Sequence, residues 1–325
     1  MNILVTGGAG YIGSHACKRL AAAGYSPVVY DNLSRGNRWA VKWGPFEYGD
    51  IGDFSRLSQV LQIYKPAAIM HFAALAYVGE SVEQPLLYYT NNVSATAMLL
   101  QAVVRYGPIP FVFSSTCATY GIPEQTPISE DHPQRPINPY GYSKLVVERM
   151  LRDAERAHGL RWIALRYFNA AGADPDGEIG EAHDPETHLI PLVIGAARDG
   201  VPLRIFGDDY KTADGSCIRD YIHVIDLADA HVAAAKYLLD GGASQALNLA
   251  NAKGFSVKEV VRVVEQVSGV TVPIEIVSRR EGDPAVLVGD ARRAQQVLGW
   301  KPQKSDLEIQ IRDAWNWEES RRQRN

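Results

Sequence analysis

The chain opens on an apolar run, Asn2-Ile-Leu-Val-Thr6, that breaks directly into Gly7-Gly-Ala-Gly-Tyr-Ile-Gly13 and then into a helix-like stretch to Ala23. With 28 glycines in 325 residues, a G-x-x-G-x-x-G spacing says little by itself; its place between strand and helix carries the weight. Glycines there let the backbone approach a pyrophosphate, and the amides at the helix start face its charge. Gly7, Gly10, Tyr11, Ile12 and Gly13 are therefore candidate dinucleotide contacts. Asp31 closes the second apolar run 18 residues after Gly13, where a carboxylate accepts both hydroxyls of an adenosine ribose and repels a 2′-phosphate. This favours NAD, although Arg35 nearby would suit NADP. Asp50 and Ile51, after a third run, are candidate adenine-edge contacts, with a turn cap as the alternative for Asp50.

Runs rich in β-branched and aromatic residues recur at Ile3–Thr6, Pro27–Asp31, Phe46–Gly49, Ala68–Ala73, Phe111–Ser115 and Trp162–Tyr167. Helix-like segments at Tyr11–Ala23, Phe54–Ile63, Asn92–Tyr106 and Tyr140–Ala157 separate them. Such alternation predicts an α/β fold, a Rossmann-type doubly wound parallel sheet with right-handed crossovers. Beyond Asn169 the pattern lapses into the Asp, Pro, Gly and Glu of Ala173–Glu186, a surface excursion where a second lobe begins. The stretch Ile218–Leu239 reads again as strand then helix and is expected to rejoin the first unit. Ser256–Ser268 reads as an amphipathic helix, and Arg321–Asn325 as a frayed end.

Composition narrows the partners. A net charge of −4 with scattered basic residues offers no stripe for a nucleic acid backbone. Three cysteines, Cys17, Cys117 and Cys217, are too few and too far apart for a disulfide framework. With no secretory leader and no apolar run of the roughly 18 residues a membrane span requires, the expected location is the cytoplasm. The eight histidines show no H-E-x-x-H or comparable spacing, so no metal is expected.

Tyr140 and Lys144 stand four residues apart at the start of a helix that follows the run Phe111-Val-Phe-Ser-Ser-Thr116. Helical spacing puts both side chains on one face. A phenol of pKa about 10 is a poor base until a cation stabilises its anion, and each unit of depression is worth about 1.4 kcal/mol. Thr116, at the strand end where such sheets bind ligands, completes a candidate proton path.

Together with the glycine turn, this constellation resembles the extended short-chain dehydrogenase/reductase family. The narrower resemblance, from Met1 to about Trp317, is to its UDP-glucose (galactose) 4-epimerase branch. It rests on Phe72-Ala-Ala-Leu-Ala-Tyr-Val-Gly-Glu-Ser81, Asn138-Pro-Tyr-Gly141, Arg166-Tyr-Phe-Asn169, Cys217-Ile-Arg-Asp-Tyr-Ile-His223 and Arg279-Arg-Glu-Gly-Asp283. The resemblance implies an NAD-binding unit over residues 1–169, rejoined by 218–239, and an interwoven UDP-sugar lobe over 170–325. It implies inversion at C4 through a 4-keto sugar, with Tyr140 as acid/base and hydride held transiently on bound NAD. Asn32, Phe72, Ala73, Ala74, Asn91 and Phe168 fall to the cofactor, although Asn91 also reads as a helix N-cap. Asn169, Arg219 and Arg280 fall to the diphosphate, Phe206 to the uracil and Asp283 to the ribose, while His188, Leu189 and Arg204 complete the substrate wall. The forked donors of arginine suit phosphate oxygens.

Three positions depart from the family pattern. Thr116 replaces the usual serine, and Ala76 replaces a lysine near the cofactor, which puts NAD retention in question. Leu287 stands at the gate where tyrosine excludes N-acetylated sugars and a small residue admits them. Ala76–Ser81 and Ser114–Gly121 also resemble UDP-xylose/UDP-arabinose 4-epimerases, and UDP-N-acetylglucosamine is a third candidate substrate. A dehydratase would need an acid where Cys117 and Ala118 stand; a non-catalytic NAD sensor would not need Tyr140 and Lys144. Apolar residues on more than one face of Asn92–Tyr106 and Tyr140–Ala157 suit the homodimer that the resemblance implies.

Overall fold

Ile3, Leu4 and Val5 are all fully buried, and the two faces of that short strand feed two different cores: Ile3 and Val5 pack on one side, Leu4 on the other. Burial on both faces is the mark of a strand inside a parallel sheet covered by helices. The computed structural model describes residues 1–280 and 283–323. From the N-terminus run β1 (Asn2–Thr6), β2 (Ser26–Asp31), β3 (Phe46–Tyr48), β4 (Ala68–His71), β5 (Phe111–Thr116) and β6 (Trp162–Tyr167). Then come β7 (Asn169–Ala171), β8 (Leu203–Phe206) and β9 (Ile218–His223). Last are β10 (Gln245–Leu249), β11 (Gly254–Ser256), β12 (Ile274–Val277) and β13 (Val286–Leu287).

The main sheet has seven strands in the order β10-β6-β5-β4-β1-β2-β3, and every pairing in it is parallel. The order reverses between β1 and β4, which opens a crevice at their C-terminal ends. On one face lie the helices Tyr11–Ala22 and Val224–Leu239, joined through Ala16, Leu20, Leu227 and Leu238; on the other lie Phe54–Tyr64, Ala95–Tyr106 and Pro139–His158. Each fully buried aliphatic side chain contributes about 1.5–3 kcal/mol by leaving water, so these two apolar layers hold the sheet.

The predicted strand Ala68–Ala73 stops at His71, because the Phe72 and Ala73 amides turn to donate to the Thr6 carbonyl at 2.8 and 3.1 Å. Ile218–Leu239 divides. Its helix, Val224–Leu239, packs under the main sheet, whereas its strand, β9, pairs with β7, β11 and β13 in a small four-stranded sheet. The seventh strand, β10, was absent from the expectations. A third core, including Val193, Ile194, Val260, Val264 and Ile311, packs the helices Leu189–Asp199, Val257–Ser268 and Leu307–Gln323 around β8 and β9. Ser256 starts the second of these with a reciprocal capping box to Glu259.

Arg321 to Gln323 continue the last helix rather than fraying, and Arg324 and Asn325 lie outside the described residues, as do Glu281 and Gly282. Among the described residues, no helix is long and apolar enough to cross a membrane.

Candidate active site

A cleft of about 1170 Å³ runs from the C-terminal edge of the main sheet to the smaller lobe. At one end the glycine turn is held by sterics. Gly7 takes φ +74°, and a Cβ there would lie 2.4 Å from the Ala73 amide nitrogen; one at Gly13 would lie 2.2 Å from the Gly7 carbonyl oxygen. Gly10, the N-cap of the helix Tyr11–Ala22, brings no side-chain cap, so the helix start with Tyr11, Ile12 and Gly13 opens onto the cleft uncovered. Asp31 accepts the Ala9 amide at 3.0 Å and the Leu33 amide at 2.8 Å, which fixes its carboxylate at the end of β2. Burial raises its pKa against those two hydrogen bonds.

Arg35, the residue that kept NADP open, donates to Glu80 at 2.5 Å and stacks 5.0 Å over the Tyr77 ring. Its charge is therefore matched inside the protein. Ile51, Asn32, Phe72, Ala73, Ala74 and Phe168 line the same end of the cleft. Asp50 does not: its carboxylate accepts the Gly52 amide at 2.7 Å and the Asn32 amide group at 2.8 Å, the turn-cap role. Asn91 is not an N-cap either. It lies inside a π-helical turn, Tyr89–Ser94, that runs without a break into Ala95–Tyr106. The widened turn lets Asn92 bond the Leu75 backbone on both of its amide atoms at 2.9 Å, and its Oδ1 also accepts the Asn91 side-chain amide at 2.9 Å.

At the middle of the cleft the helix Pro139–His158 begins with Asn138 capping the Gly141 amide at 2.8 Å and proline at its first position. That start places Tyr140 in the same cleft wall as Thr116, at the end of β5. Thr116 accepts the Ala118 amide at 3.1 Å. One turn on, Lys144 donates to the Ser114 carbonyl at 2.9 Å, and its Nζ stands 5.9 Å from the centre of the Tyr140 ring. Burial pushes the phenol pKa well up, with the neighbouring Thr116 hydroxyl working against it, and pulls Lys144 down to about 7. One further turn on, buried Glu148 accepts Ser115 at 2.7 Å and grips Arg166 through two bonds of 2.9 and 2.6 Å. The catalytic helix is thus tied to β5 and β6 by a fully desolvated ion pair.

At the far end, Phe206 closes β8 beneath the Arg280 guanidinium, 3.8 Å from the ring centre. Arg219 pairs with Asp283, and Leu287 on β13 sits in register with Arg219. Asn169 donates to the Asp220 carbonyl at 3.1 Å. Leu189 opens the helix Leu189–Asp199, and Arg204, held by Glu275 at 3.3 Å, stands on the exposed rim. The cleft thereby gathers the sequence-derived candidates for dinucleotide, proton transfer and diphosphate, Asp50 apart.

Residues 3–250 match the NAD dependent epimerase/dehydratase family. The chain belongs to that family. It is 57% identical over 318 residues to the UDP-glucose 4-epimerase of Rhizobium leguminosarum bv. trifolii, covering 97% of this chain and 96% of that one. The crystal structure of the Brucella ovis UDP-glucose 4-epimerase in complex with NAD superimposes with a TM-score of 0.94 at 53% identity, covering 97% of each chain. A Stenotrophomonas maltophila UDP-glucose 4-epimerase, solved with NAD and formylated UDP-arabinopyranose, gives a TM-score of 0.96 at 40% identity over 100% of both chains.

The residues present fit the NAD that this epimerase/dehydratase family uses. The turn that any Cβ at Gly7 or Gly13 would block, the uncovered helix start beside it and the fixed carboxylate of Asp31 supply backbone amides for phosphates and an acceptor for ribose.

One grouping escaped the sequence reading. Glu181, His183, Glu186 and His188 converge on the cleft wall, although their E-x-H-x-x-E-x-H spacing matches neither a helical nor a strand period. Only His188 had been singled out, as a substrate contact, and no metal ligands had been expected.

Proposed function

We propose that this chain is a UDP-glucose/UDP-galactose 4-epimerase that keeps NAD as a resident cofactor. The observation that carries the reading is the buried pair Tyr140 and Thr116 lining the same cleft as the glycine turn and the Arg219, Arg280 and Phe206 end. NAD, when bound, supplies a hydride acceptor that returns the hydride to sugar C4. Tyr140 takes the proton from the 4-hydroxyl oxygen and gives it back after the 4-keto sugar has presented its other face. Thr116 holds that proton path through its hydroxyl, and Lys144 supplies positive charge behind the phenol. Arg219 and Arg280 hold the diphosphate while the sugar turns, so the nucleotide stays fixed and only the reacting ring reorients.

Elimination chemistry lacks its acid here: Cys117 and Ala118 follow Thr116, and burial pushes the Cys117 thiol up to about 12. Pentose substrates are the second reading, favoured by the arabinopyranose nucleotide in the Stenotrophomonas structure. Incubating pure protein with UDP-galactose, UDP-N-acetylgalactosamine and UDP-xylose, without added NAD, and separating the products tests reaction, substrate and cofactor retention together. UDP-glucose must appear from UDP-galactose; no conversion of any of the three, with NAD still bound, would establish the sensor reading instead.

We further place the protein in the cytoplasm as a homodimer. Tyr106, Tyr142 and Val146 are exposed apolar residues on the two helices that the resemblance assigns to a bundle between copies. Light scattering on the eluting protein measures that state directly.

A further inference from the structure

We propose that Glu181, His183, Glu186 and His188 form a four-ligand site for a divalent transition cation of the Zn²⁺ type, fixing the loop that walls the cleft. The four side chains each offer one ligand atom, and all these atoms lie within 4.8 Å of one another. His183 Nδ1 stands 3.0 Å from Glu181 and 3.6 Å from Glu186; His188 Nδ1 stands 2.7 Å from Glu181 and 3.2 Å from Glu186. A tetrahedral zinc with bonds of about 2.0–2.1 Å separates its ligands by about 3.3 Å, the middle of that spread.

Distance alone would also describe two imidazolium–carboxylate pairs. Direction separates the readings. Both Nδ1 atoms are buried, and neither makes a hydrogen bond of acceptable geometry, although each touches two carboxylates. Protonated rings would point N–H at an oxygen; lone pairs aimed at a common centre would not. The chain carries its own control for an acidic cluster without metal. At Asp174, Asp176 and Glu178, the Lys18 ammonium sits among the carboxylates at 2.7–2.8 Å from all three. Around Glu181 and Glu186 the ion-pair partners among the described residues are the two histidines alone. With a cation bound through their lone pairs the two imidazoles would be neutral, and with the two carboxylates they would present a charge of −2, which one divalent cation cancels; with none bound, the same carboxylates raise both imidazole pKa values.

The surroundings orient the ligands. Glu186 accepts the Thr187 and His188 amides at 2.7 and 2.8 Å, which sets its carboxylate. The Tyr77 ring meets both imidazoles edge-on at 5.7 and 6.1 Å, and Tyr11 meets His183 at 6.3 Å. Imidazole nitrogen with carboxylate oxygen is a donor set that zinc accepts, and four protein ligands make a closed, structural site. Tyr11 also donates to the Gly172 carbonyl at 2.5 Å, so the loop is tied to the glycine turn at one end and would be pinned by the metal at the other.

The test uses the NAD-loaded enzyme stripped of metal with a chelator and then titrated with Co²⁺ and, in competition, Zn²⁺. The expected result is one Co²⁺ per chain with the strong visible absorption of a tetrahedral ion, displaced by Zn²⁺. His183→Ala should abolish that spectrum, and Glu186→Gln, which keeps an oxygen for the two amides, should weaken binding at least tenfold. Circular dichroism and the amount of NAD released on acid denaturation report whether each variant folds; should His183→Ala fail, Glu186→Gln decides. A spectrum of six-coordinate aqueous cobalt, or tetrahedral binding unchanged in Glu186→Gln, overturns the proposal.

Discussion

Lys144 reaches past Tyr140: its ammonium donates to the Ser114 carbonyl at 2.9 Å and stands 5.9 Å from the centre of the phenol ring. The two side chains share a helix face without sharing a hydrogen bond, so we propose that the lysine acts on the tyrosine through space. Tyr140→Phe, which keeps the ring and removes the proton, should lower kcat by roughly 10²–10⁴-fold. UDP binding should hardly change, since the arginines proposed to hold it stand at the far end of the cleft. Steady-state kinetics with a calorimetric UDP titration checks both, and a kcat within tenfold of the parent would refute the acid/base assignment.

The same burial makes stability depend on pH. Lys144 titrates at about 7 in the folded protein but near 10.4 unfolded. Between those values the unfolded chain holds the extra proton, so stability rises with pH across the window. The contribution is full above about 10.4 and is lost as pH falls through about 7, a span of up to about 5 kcal/mol. Urea unfolding of NAD-free protein at pH 7 and pH 9.5 should show the parent gaining on Lys144→Met at the higher pH. A constant difference would mean that the amine is not desolvated.

Cofactor choice turns on Arg35. Held by Glu80 and the Tyr77 ring, it is not offered to a 2′-phosphate, and Asp31 repels one. Glu80→Gln should free the guanidinium and raise NADP affinity several-fold while leaving NAD affinity within about twofold. Competition between the two dinucleotides for cofactor-free protein measures the ratio, which should stay flat only if Arg35 has no access to the ribose.

Glu148 and Arg166 lie almost wholly out of water, and truncating one leaves the other charged and unpaired. Glu148→Ala should cost about 3–5 kcal/mol of unfolding free energy. Arg152, the other cation within reach of Glu148, is partly exposed and can turn to solvent. Equilibrium unfolding of the variant decides, and a loss below about 1 kcal/mol would show that the pair is not sealed.

We propose that Leu287, which lines the cleft, sets the size of the sugar end. Replacing it with serine should improve kcat/KM for UDP-N-acetylglucosamine relative to UDP-glucose by about 10–200-fold, the range that a few methylene groups of pocket space command. Leu287→Tyr should move the ratio the opposite way. Equal ratios in all three proteins would place the gate elsewhere.

Much of this was legible in the residues because it rests on local rules. Glycines where a Cβ would strike the backbone, apolar runs buried on both faces, and a tyrosine and lysine one turn apart each leave a mark within a few positions. What escaped was decided at long range. β10 reads Gln-Ala-Leu-Asn-Leu, without a β-branched residue and with a polar Asn248 that is buried only because Tyr120 and the Ile128 carbonyl, far back in the chain, satisfy it. Asp50 and Asn91 are ambiguous for the opposite reason: each offers a local structural reading, turn cap or N-cap, that no spacing distinguishes from ligand contact, and only Asp50 takes it. The Glu181–His188 cluster has no period at all, since a loop rather than an element brings it together.

β10 and the helix Val224–Leu239 belong spatially to the strands that precede residue 170, yet the chain makes them only after visiting the smaller lobe. A gene cut at that point would not release a portable dinucleotide binder. It would leave β6 as a bare edge open to strand addition and strip the cover from Leu20 and Ala16. Grafting a new sugar specificity onto this scaffold therefore means exchanging loops within one continuous chain, and a ribosome must reach Leu249 before β6 has its second neighbour.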